Sequence, residues 1–504
     1  MNEMNRRNFL KGTAWMGAAA VAAGCMGRKG LGLGTGGMMT GFAAKPLKRV
    51  RVGIAGLGGR GTGAIERICQ IPGCVVTGVC DLRQVRIDAC NAILVKGGHA
   101  KAKEYCGAEA YKRMCAADDV DVVYVTTGWQ MHAPIGLCAV RNGKHTFVEV
   151  PCALTVDDCW AFVEESEKNK VHAMILENCC YGEAELLCLN LCRLGKFGDL
   201  VHGEAAYIHD LRHMNYEDNA DFEPGKWNLG YYDHWRLRYN KDHKGNGYPT
   251  HGLGPVCEYM GINRGDVMTE LVSLESRQAN YEAYAKSKWP ADDWHAKLHV
   301  EMGDMNTTLI KTALGRSIMV QHDVSSPRPY TRLNLLSGTK GIFKGCYFGD
   351  NVVGEDYDHP FKQGSGVRLA WERKPGQHIP GFFDMDETNR IRKEFMHPYW
   401  KAAGEIAKDV GGHGGMDFLM DLRWAYCLQN GLPLDMNVYD LASWSCLVEL
   451  TERSVREKRY VDIPDFTRGG WKTAKPLGIV NVDIAKLGLR ADRIDAAKSA
   501  MDVK

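Results

Sequence analysis

The stretch "VRVGIAGLGGRG" at residues 50–61 decides the fold of this chain. It opens with an apolar run rich in valine, and Gly56, Gly58 and Gly61 follow in G-x-G-x-x-G spacing. After a strand, the first glycine permits a tight turn, the second lets a pyrophosphate approach the backbone, and the third allows the next helix to pack closely. The stretch therefore predicts a strand, a phosphate-binding turn and a helix.

Three further apolar runs follow, with helical stretches between them. They lie at residues 73–82, 119–128 and 145–150. Such alternation predicts a doubly wound parallel sheet of the Rossmann type over residues 48–175. The second run ends in Asp81, where an acidic residue would bind a ribose 2′-hydroxyl, so NAD is favoured over NADP. After Pro151, residues 155–170 predict a helix with Thr155 as its N-cap.

The pattern of apolar and polar residues changes from about Gly198 onward. Alternating apolar and polar residues predict strands at residues 200–211, 297–303, 306–314 and 317–324, with "LGR" at 314–316 as a hairpin turn. Residues 215–246 have no clear period and predict a long ordered loop, whereas residues 415–434 predict a helix that ends at Gly431. We therefore expect residues 176–504 to form an α+β substrate domain with a mostly antiparallel open sheet. Its C-terminal segment would pack back on the Rossmann domain.

Residues 1–47 look like an export signal followed by a Gly-rich linker. Arg6 and Arg7 precede an apolar run that is too short to span a bilayer and that ends at Cys25. This is the twin-arginine pattern, a route for folded proteins. Ala23-Gly24-Cys25 also resembles a lipoprotein cleavage box. We expect a periplasmic protein, or one anchored to a membrane by a lipid on Cys25.

Bulk composition indicates a small-molecule or glycan partner. The net charge of +2 and the pI near 7.8 give no basic field for nucleic acid. None of the 18 cysteines forms a Cys-x-x-Cys pair, and most lie in apolar runs, where a free thiol serves as a small hydrophobe. His209 and His213 of "HDLRH" follow a strand-like run rather than a helix, so we expect no metal site.

A resemblance to a known superfamily becomes visible at "TGWQMHAPI", residues 127–135, and at Glu149-Val150-Pro151. Together with the glycine turn and Asp81, these motifs resemble the glucose-fructose oxidoreductase and inositol dehydrogenase superfamily. That superfamily usually has a lysine, which assists proton transfer, in the place of Val150. A valine neither donates nor accepts a proton, which argues against ordinary sugar dehydrogenation.

Downstream motifs narrow the resemblance to glycoside hydrolase family 109, the NAD-dependent α-N-acetylgalactosaminidases. In chain order they are "ENCCYG" (177–182), "HGEAAYIHDLR" (202–212), "YPTHGLGP" (248–255), "GINRGD" (261–266), "NTTLIKTALGR" (306–316), "QHDVSSPRPYTR" (321–332) and "HGGMDFLMD" (413–421). The match covers roughly residues 50–450 and includes Val150.

The resemblance implies two sets of site residues. Together with the three glycines of the turn, the cofactor positions are Gly59, Arg60, Asp81, Trp129, Gln130, Met131, His132, Glu149, Val150 and Asn178. The sugar-binding and catalytic positions are Tyr207, His209, Arg236, Tyr248, Pro249, Thr250, His251 and Tyr330.

The implied reaction is an oxidation, elimination, water addition and reduction cycle, an exception to the usual pair of carboxylates. Bound NAD+ would take the hydride from C3 of the sugar, and the ketone would acidify the proton on C2. We expect His251 as the base for C3, Tyr330 and Tyr207 for the C2 proton and the leaving group, and His209 as their partner. Tyr248 would face the sugar with His251, and Arg236 would orient it. These residue types are also compatible with other divisions of the roles.

Two rival functions fit parts of the same sequence. One is a net sugar oxidoreductase that releases NADH, and the other is a non-catalytic sugar-binding protein that keeps NAD as a structural element. A conventional hydrolase would need paired carboxylates, and Glu177, Asp210 and Asp417 are present without a sign that any two face one bond. The open sheet face predicts a homo-oligomer.

Overall fold

The computed structural model of the protein describes residues 39–218, 230–345, 367–371 and 381–476, together with Leu489. The predicted export signal, Cys25 and the Gly-rich linker lie outside these ranges. Among the described residues, no helix is both long enough and apolar enough to cross a membrane.

The first half of the chain forms the predicted parallel sheet, in the order β3-β2-β1-β4-β5-β6. Its strands are β1 (Val50–Ala55), β2 (Cys74–Asp81), β3 (Lys103–Cys106), β4 (Val122–Val125), β5 (His145–Val148) and β6 (Ala173–Ile175). The helices that connect them are α1 (Gly59–Ile68), α2 (Gln84–Lys96), α3 (Ala110–Cys115), α4 (His132–Arg141) and α5 (Val156–Asn169). Thr155 caps α5, as predicted, because its side chain accepts a hydrogen bond from the backbone N–H of Asp158.

Two glycines allow β1 to turn sharply into α1. Gly56 has a φ of 88°, in the left-handed region that side chains avoid. A Cβ on Gly61 would lie 1.9 Å from the carbonyl oxygen of Gly56, so α1 could not approach the turn if that glycine were replaced. The helix is thereby held close to the strand, with its N-terminus at the carboxyl edge of the sheet.

The second half contains a mixed, mostly antiparallel sheet in the order β13-β12-β11-β7-β10-β9-β8-β14. Its strands are β7 (Leu200–Ile208), β8 (Met268–Glu275), β9 (Asn306–Thr312), β10 (Ser317–Asp323), β11 (Leu335–Gly338), β12 (Gly341–Lys344), β13 (Arg368–Trp371) and β14 (Val461–Asp462). Strands β7 and β10 run parallel, and the other pairs run antiparallel. The predicted fold class is therefore confirmed, and Gly315, with a φ of 80°, forms the predicted turn between β9 and β10.

Helices of the second half pack on this sheet and on the first. They are α6 (Glu183–Arg193), α7 (Arg212–Tyr216), α8 (Trp235–Asp242), α9 (Thr250–Met260), α10 (Asn280–Lys288), α11 (Trp294–Lys297), α12 (Met385–Phe395), α13 (Pro398–Val410), α14 (Met416–Asn430), α15 (Val438–Ser445) and α16 (Leu447–Glu457). Helix α9 lies so close to β7 that a Cβ on Gly252 would meet the backbone nitrogen of Ala206 at 2.2 Å. This close approach places the start of α9 beside Tyr207.

Helix α14 returns to the parallel sheet. Its buried Trp424 packs against Phe147, with ring centroids 4.9 Å apart, and Asp421 accepts a hydrogen bond of 2.8 Å from Arg67 of α1. The helix ends at Gly431, which has a φ of 61°, as predicted. The domain boundaries at residues 47 and 175 stay predictions.

Two local expectations differ from the structure. Residues 298–303 are not a strand, although they alternate; their apolar side chains Val300 and Met302 pack into an aromatic cluster instead. Within residues 215–246, the described part contains α8 and a 3₁₀ turn at Tyr232–His234 rather than a continuous loop. Residues 250–255, "THGLGP", begin α9, and Gly252 permits the close contact of this helix with β7.

Every cysteine in the described ranges is a free thiol, and most are buried. Burial raises the pKa of thiols such as those of Cys152 and Cys159 well above the usual value. Protonated thiols of this kind pack as small apolar side chains.

Candidate active site

The carboxyl edge of the parallel sheet holds the predicted cofactor motif. One oxygen of Asp81, at the end of β2, accepts a hydrogen bond of 2.7 Å from the backbone N–H of Leu57. Its other oxygen accepts one of 3.0 Å from the backbone N–H of Arg83. The carboxylate is therefore fixed beside the glycine turn, where a ribose hydroxyl would meet it.

The glycine turn leaves room for a dinucleotide. A Cβ placed on Gly58 or Gly59 would meet no atom within 4 Å. Helix α1 begins there without a side-chain cap, so its first N–H groups point into that space. Because unpaired N–H groups at a helix start favour a phosphate, the residues present fit the pyrophosphate of NAD.

Arg60, in the first turn of α1, binds acidic groups from two other parts of the chain. It donates to Glu149 after β5 with its Nε at 2.9 Å, and to Asp417 of α14 at 2.7 Å. Asp417 also accepts a hydrogen bond of 2.6 Å from Asn178. Burial alone would raise the pKa of Asp417, but Arg60 and the nearby His413 hold it well below its usual value.

The segment after β4 divides into exposed and inward-facing side chains. Trp129 is buried and stacks on Tyr248, with ring centroids 5.6 Å apart, whereas Gln130 is exposed. Met131 is half-buried. His132 is turned inward, and its two ring nitrogens lie 2.7 Å and 2.9 Å from the carbonyl oxygens of Pro151 and Thr127. His132 therefore links the segments that follow β4 and β5.

Aromatic side chains from three elements meet beside Trp129. The ring of Tyr207 on β7 lies 4.6 Å from Tyr248 and 5.3 Å from His251, centroid to centroid. Tyr330, after β10, lies 5.1 Å from the ring of His209 and 6.1 Å from that of Tyr207. The structure thus brings together five of the predicted sugar-binding and catalytic residues.

His251 is held between a carboxylate and a phenol. Its Nδ1 lies 2.8 Å from Oε1 of Glu177, and its Nε2 lies 3.3 Å from the hydroxyl of Tyr248. Glu177 is fully buried. Burial alone would raise the pKa of Glu177, but the facing His251 and the hydrogen bonds to the carboxylate hold it below its usual value. An ionised Glu177 fixes the proton of His251 on Nδ1, which leaves Nε2 as the acceptor.

The guanidinium of Arg236 lies inside the aromatic group. It is 4.8 Å from the ring of Trp129 and 5.0 Å from that of Tyr248, and it donates to the hydroxyl of Tyr231 at 3.0 Å. Arg236 is only 4% exposed, and its Nε and Nη2 have no hydrogen-bond partner among the described residues. Buried donors without a partner carry a free-energy penalty unless a ligand satisfies them. Two donors are thus available to a polar ligand.

Tyr330 has its own charged neighbour. Arg332 donates to the Tyr330 hydroxyl at 3.3 Å and to Glu185 at 2.6 Å, and Arg332 and Glu185 are each 1% exposed. Burial raises the pKa of Tyr330 well above its usual value, and Arg332 opposes that rise. Burial also raises the pKa of Tyr207 to about 12. Both phenols are therefore protonated near neutral pH.

Pro249 and Thr250 lie where α9 begins, and Val150 is buried at the end of β5. Thr250 is also buried. The side chains at all three positions carry no charge.

Several contacts of the site were not predicted from the sequence. They are the pairing of Glu177 with His251, the pair Glu185–Arg332, and the contact of His413 with Arg60, whose Nη1 lies 3.2 Å from the histidine Nδ1. One signal could have found the first: Glu177 follows β6 directly, at the same sheet edge as Asp81 and Glu149.

Glu177, Cys179 and His251 also form a possible metal-binding group, since their ligand atoms lie within 4.8 Å of one another. However, Glu177 and His251 already satisfy each other, and burial raises the pKa of Cys179 well above its usual value. A protonated thiol is a poor ligand, so the prediction of no metal stays in place.

Comparison with known families first defines the class of the protein. Residues 50–176 match the family described as "Oxidoreductase family, NAD-binding Rossmann fold". Similar solved structures include a levoglucosan dehydrogenase in complex with NADH and levoglucosan, with a TM-score of 0.59, 15% identity, and coverage of 82% of this chain and 100% of that one. An oxidoreductase domain protein from Kribbella flavida has a TM-score of 0.60 and 16% identity, over 83% of this chain and 100% of its own. The chain thus has the fold of NAD-binding oxidoreductases and binds NAD.

The second half gives the family. Residues 181–473 match "Glycosyl hydrolase 109, C-terminal domain". A glycosyl hydrolase family 109 protein from Shewanella woodyi is 44% identical over 87% of this chain and 90% of its own length. One from Shewanella pealeana is 42% identical over 95% of this chain and 99% of its own. The chain belongs to glycosyl hydrolase family 109, as its motifs had predicted, and is an NAD-dependent glycoside hydrolase.

Proposed function

We propose that the enzyme hydrolyses terminal α-linked N-acetylgalactosamine, or a close relative, by oxidation at C3, elimination, water addition and reduction. The observation that carries the proposal is the run of contacts from Glu177 through His251 to Tyr248, at 2.8 Å and 3.3 Å, next to Trp129 at the cofactor edge. Bound NAD supplies the hydride acceptor for C3 and the hydride donor that reduces it again. The residues of the chain supply the proton transfers.

His251 takes the proton of the C3 hydroxyl. Its Nδ1 faces Glu177, so Nε2 is the nitrogen that can accept a proton. The imidazolium that forms is stabilised by the ionised carboxylate of Glu177. When C3 is reduced, the same Nε2 returns the proton. The hydroxyl of Tyr248 lies 3.3 Å from the same nitrogen and orients the hydroxyl of the sugar.

Tyr330 and Tyr207 serve the C2 proton and the leaving group. Arg332 opposes the rise in the pKa of Tyr330, as Arg236 does for Tyr207. We assign Tyr330, in its phenolate form, as the base for C2. Tyr207, protonated at neutral pH, then donates to the departing oxygen. Burial, with the charge of Arg236, lowers the pKa of His209 to about 4, so a neutral His209 acts as a hydrogen-bonding partner.

Arg236 orients the substrate. Its two unpaired N–H donors, on Nε and Nη2, are suited to ring hydroxyls or to the acetamido carbonyl. Hydrogen bonds from these donors are stronger in a buried site than in water. Pro249 and Thr250 complete the sugar wall at the start of α9. Val150, in place of the usual lysine, argues against ordinary sugar dehydrogenation, because a valine cannot assist the proton transfer.

We further propose export by the twin-arginine route, supported by Arg6, Arg7 and the apolar run that ends at Cys25. The protein would be periplasmic or anchored through Cys25. The uncovered sheet face supports a homo-oligomer, since Leu274 and Leu309 on neighbouring strands are 72% and 50% exposed there.

The proposal is tested with p-nitrophenyl α-N-acetylgalactosaminide in heavy water. Release of nitrophenol with deuterium at C2 of the freed sugar and no lasting absorbance at 340 nm is the expected result. Release without deuterium at C2 would contradict the cycle, and stoichiometric NADH would favour the net oxidoreductase. Binding of the sugar without any turnover would favour a non-catalytic sugar-binding protein.

A further inference from the structure

A short segment of the second half, residues 231–236, reaches both sides of the cofactor groove. At one end, the ring of Tyr232 lies 4.2 Å from the guanidinium carbon of Arg83. At the other, the ring of Trp235 lies 5.1 Å from that of Trp129, and a Cβ on Gly128 would meet it at 3.4 Å. The segment therefore contacts two different βα connections of the parallel sheet.

These two connections flank the glycine turn. Arg83 follows β2 and Trp129 follows β4, whereas the turn follows β1, which lies between them in the sheet. Two strand spacings are about 10 Å, a distance that four consecutive residues with their side chains can bridge. No atom of the segment lies within 4 Å of a Cβ placed on Gly58 or Gly59, so the space at the turn, where the pyrophosphate fits, is left open.

The backbone of this segment is strained and firmly held. Asp233 and His234 have φ values of 52° and 47°, although neither is glycine. The backbone N–H of Asp233 donates to Asp218 at 2.7 Å, and its carbonyl oxygen accepts a hydrogen bond of 2.8 Å from Arg238. Strain that is kept by several contacts is typical of functional sites.

We propose that residues 231–236 form a strap that retains NAD in its groove, with Tyr232 and Arg83 closing the adenosine end. An enzyme that reoxidises its own cofactor in each cycle has no need to exchange it, and slow release keeps the enzyme competent. The strap leaves the sugar free to exchange, because Arg236, its last residue, faces the aromatic site rather than the groove. Cofactor retention and product release are thereby separated.

The test is the release of NAD+ carrying ¹⁴C in its adenine from the full-length protein, chased with unlabelled NAD+ in the absence of sugar. A cation–π contact at an exposed position corresponds to about two- to fivefold in a rate or equilibrium constant. We expect Tyr232→Ala and Arg83→Ala each to release the label that much faster, and Tyr232→Phe, which keeps the ring, to match the wild type. The double variant should be no faster than either single variant.

Tyr460→Ala is the matched control, since Tyr460 is an exposed tyrosine before β14, at the edge of the second sheet. It should release NAD+ at the wild-type rate. An unchanged rate of NAD+ release in Tyr232→Ala would overturn the proposed strap. So would a double variant whose increase in rate equals the product of the increases in the two single variants. No sugar is present, so the result does not depend on the proposed glycosidase cycle.

Discussion

Two buried glutamates lie behind the proposed sugar site, and they have opposite partners. Glu177, with 0% exposure, faces His251, and Glu185, with 1% exposure, faces Arg332. An imidazole gains and loses a proton near neutral pH, whereas a guanidinium keeps its charge. In the proposed mechanism, a buried carboxylate therefore completes a proton relay in one place, whereas in the other it forms a fixed ion pair.

Each pair acts on one tyrosine. The hydroxyl of Tyr248 lies 3.3 Å from His251, and that of Tyr330 lies 3.3 Å from Arg332. Burial of a carboxylate does not by itself define its role, since the residue that it contacts decides whether a proton can move. Loss of the first pair should lower turnover, and loss of the second should first lower stability.

The largest expected effect is on turnover. His251→Gln removes the proposed base of the relay but keeps a polar side chain of similar size. We expect kcat for p-nitrophenyl α-N-acetylgalactosaminide to fall roughly 10³-fold, because a positioned acid or base contributes about 10²–10⁴-fold. An equal amount of bound NAD in the variant controls for folding. A kcat within tenfold of the wild type would remove His251 from the chemistry.

Arg332→Met tests the fixed pair. It leaves Glu185 buried without its cation, and breaking a buried ion pair from one side costs about 3–5 kcal/mol. We expect the free energy of unfolding, measured in urea, to fall by roughly 3 kcal/mol. The double variant Arg332→Met, Glu185→Leu should recover most of that loss. If the double variant is less stable than the single one, the pair is not the cause.

Glu177→Gln separates the two roles of a buried carboxylate. The amide keeps a hydrogen-bonding group near His251 but removes the charge that stabilises the imidazolium. We expect about a 10²-fold loss of kcat with little change in KM, within the range known for acid and base catalysis. Stability should change less than in Arg332→Met. A large loss of unfolding free energy with little change in kcat would show that Glu177 acts on stability rather than on turnover.

The smallest effect concerns a third buried carboxylate, Glu258 of α9, which lies 3.7 Å from Arg264 and has no closer cation among the described residues. Burial raises the pKa of Glu258 from 4.5 to about 7, so the folded state holds a proton that the unfolded state releases. Its contribution to stability is therefore full below pH 4.5 and is lost as pH rises through 7.

We expect the wild type to lose on the order of 1 kcal/mol between pH 5 and pH 8 relative to Glu258→Gln, as measured by urea unfolding at both pH values. Because Glu258 lies outside the proposed site, kcat should not change in this variant. A wild type that gains stability relative to the variant as pH rises would show that Glu258 is ionised in the fold.

Much of the cofactor half could be predicted, because its signals are local. The spacing of Gly56 and Gly61 indicates a turn, and Asp81 ends the next strand. The position of each residue can therefore be predicted from its near neighbours in the sequence. The hairpin turn at Gly315 and the helix end at Gly431 are local signals of the same kind. Backbone requirements of single residues are readable from the sequence.

The sugar half could be predicted only through motifs, and its contacts could not. Glu177 and His251 come from distant parts of the chain, as do Glu185 and Arg332, and no local pattern links the members of either pair. The alternating run at residues 297–303 failed as a strand, because its apolar side chains join the aromatic cluster rather than a sheet. Tertiary packing overrides periodicity there.

The free, buried thiols have a consequence for how the molecule tolerates its surroundings. Within the described ranges, no covalent cross-link holds the two sheets together, and the thiols of residues such as Cys152 are protonated and shielded. Oxidants and disulfide exchange act on exposed thiolates. Buried thiols such as Cys152 and Cys159 should therefore be indifferent to redox potential. The thiols open to oxidation are the exposed Cys106 and the half-buried Cys138, whose pKa the neighbouring Cys115 lowers to about 7.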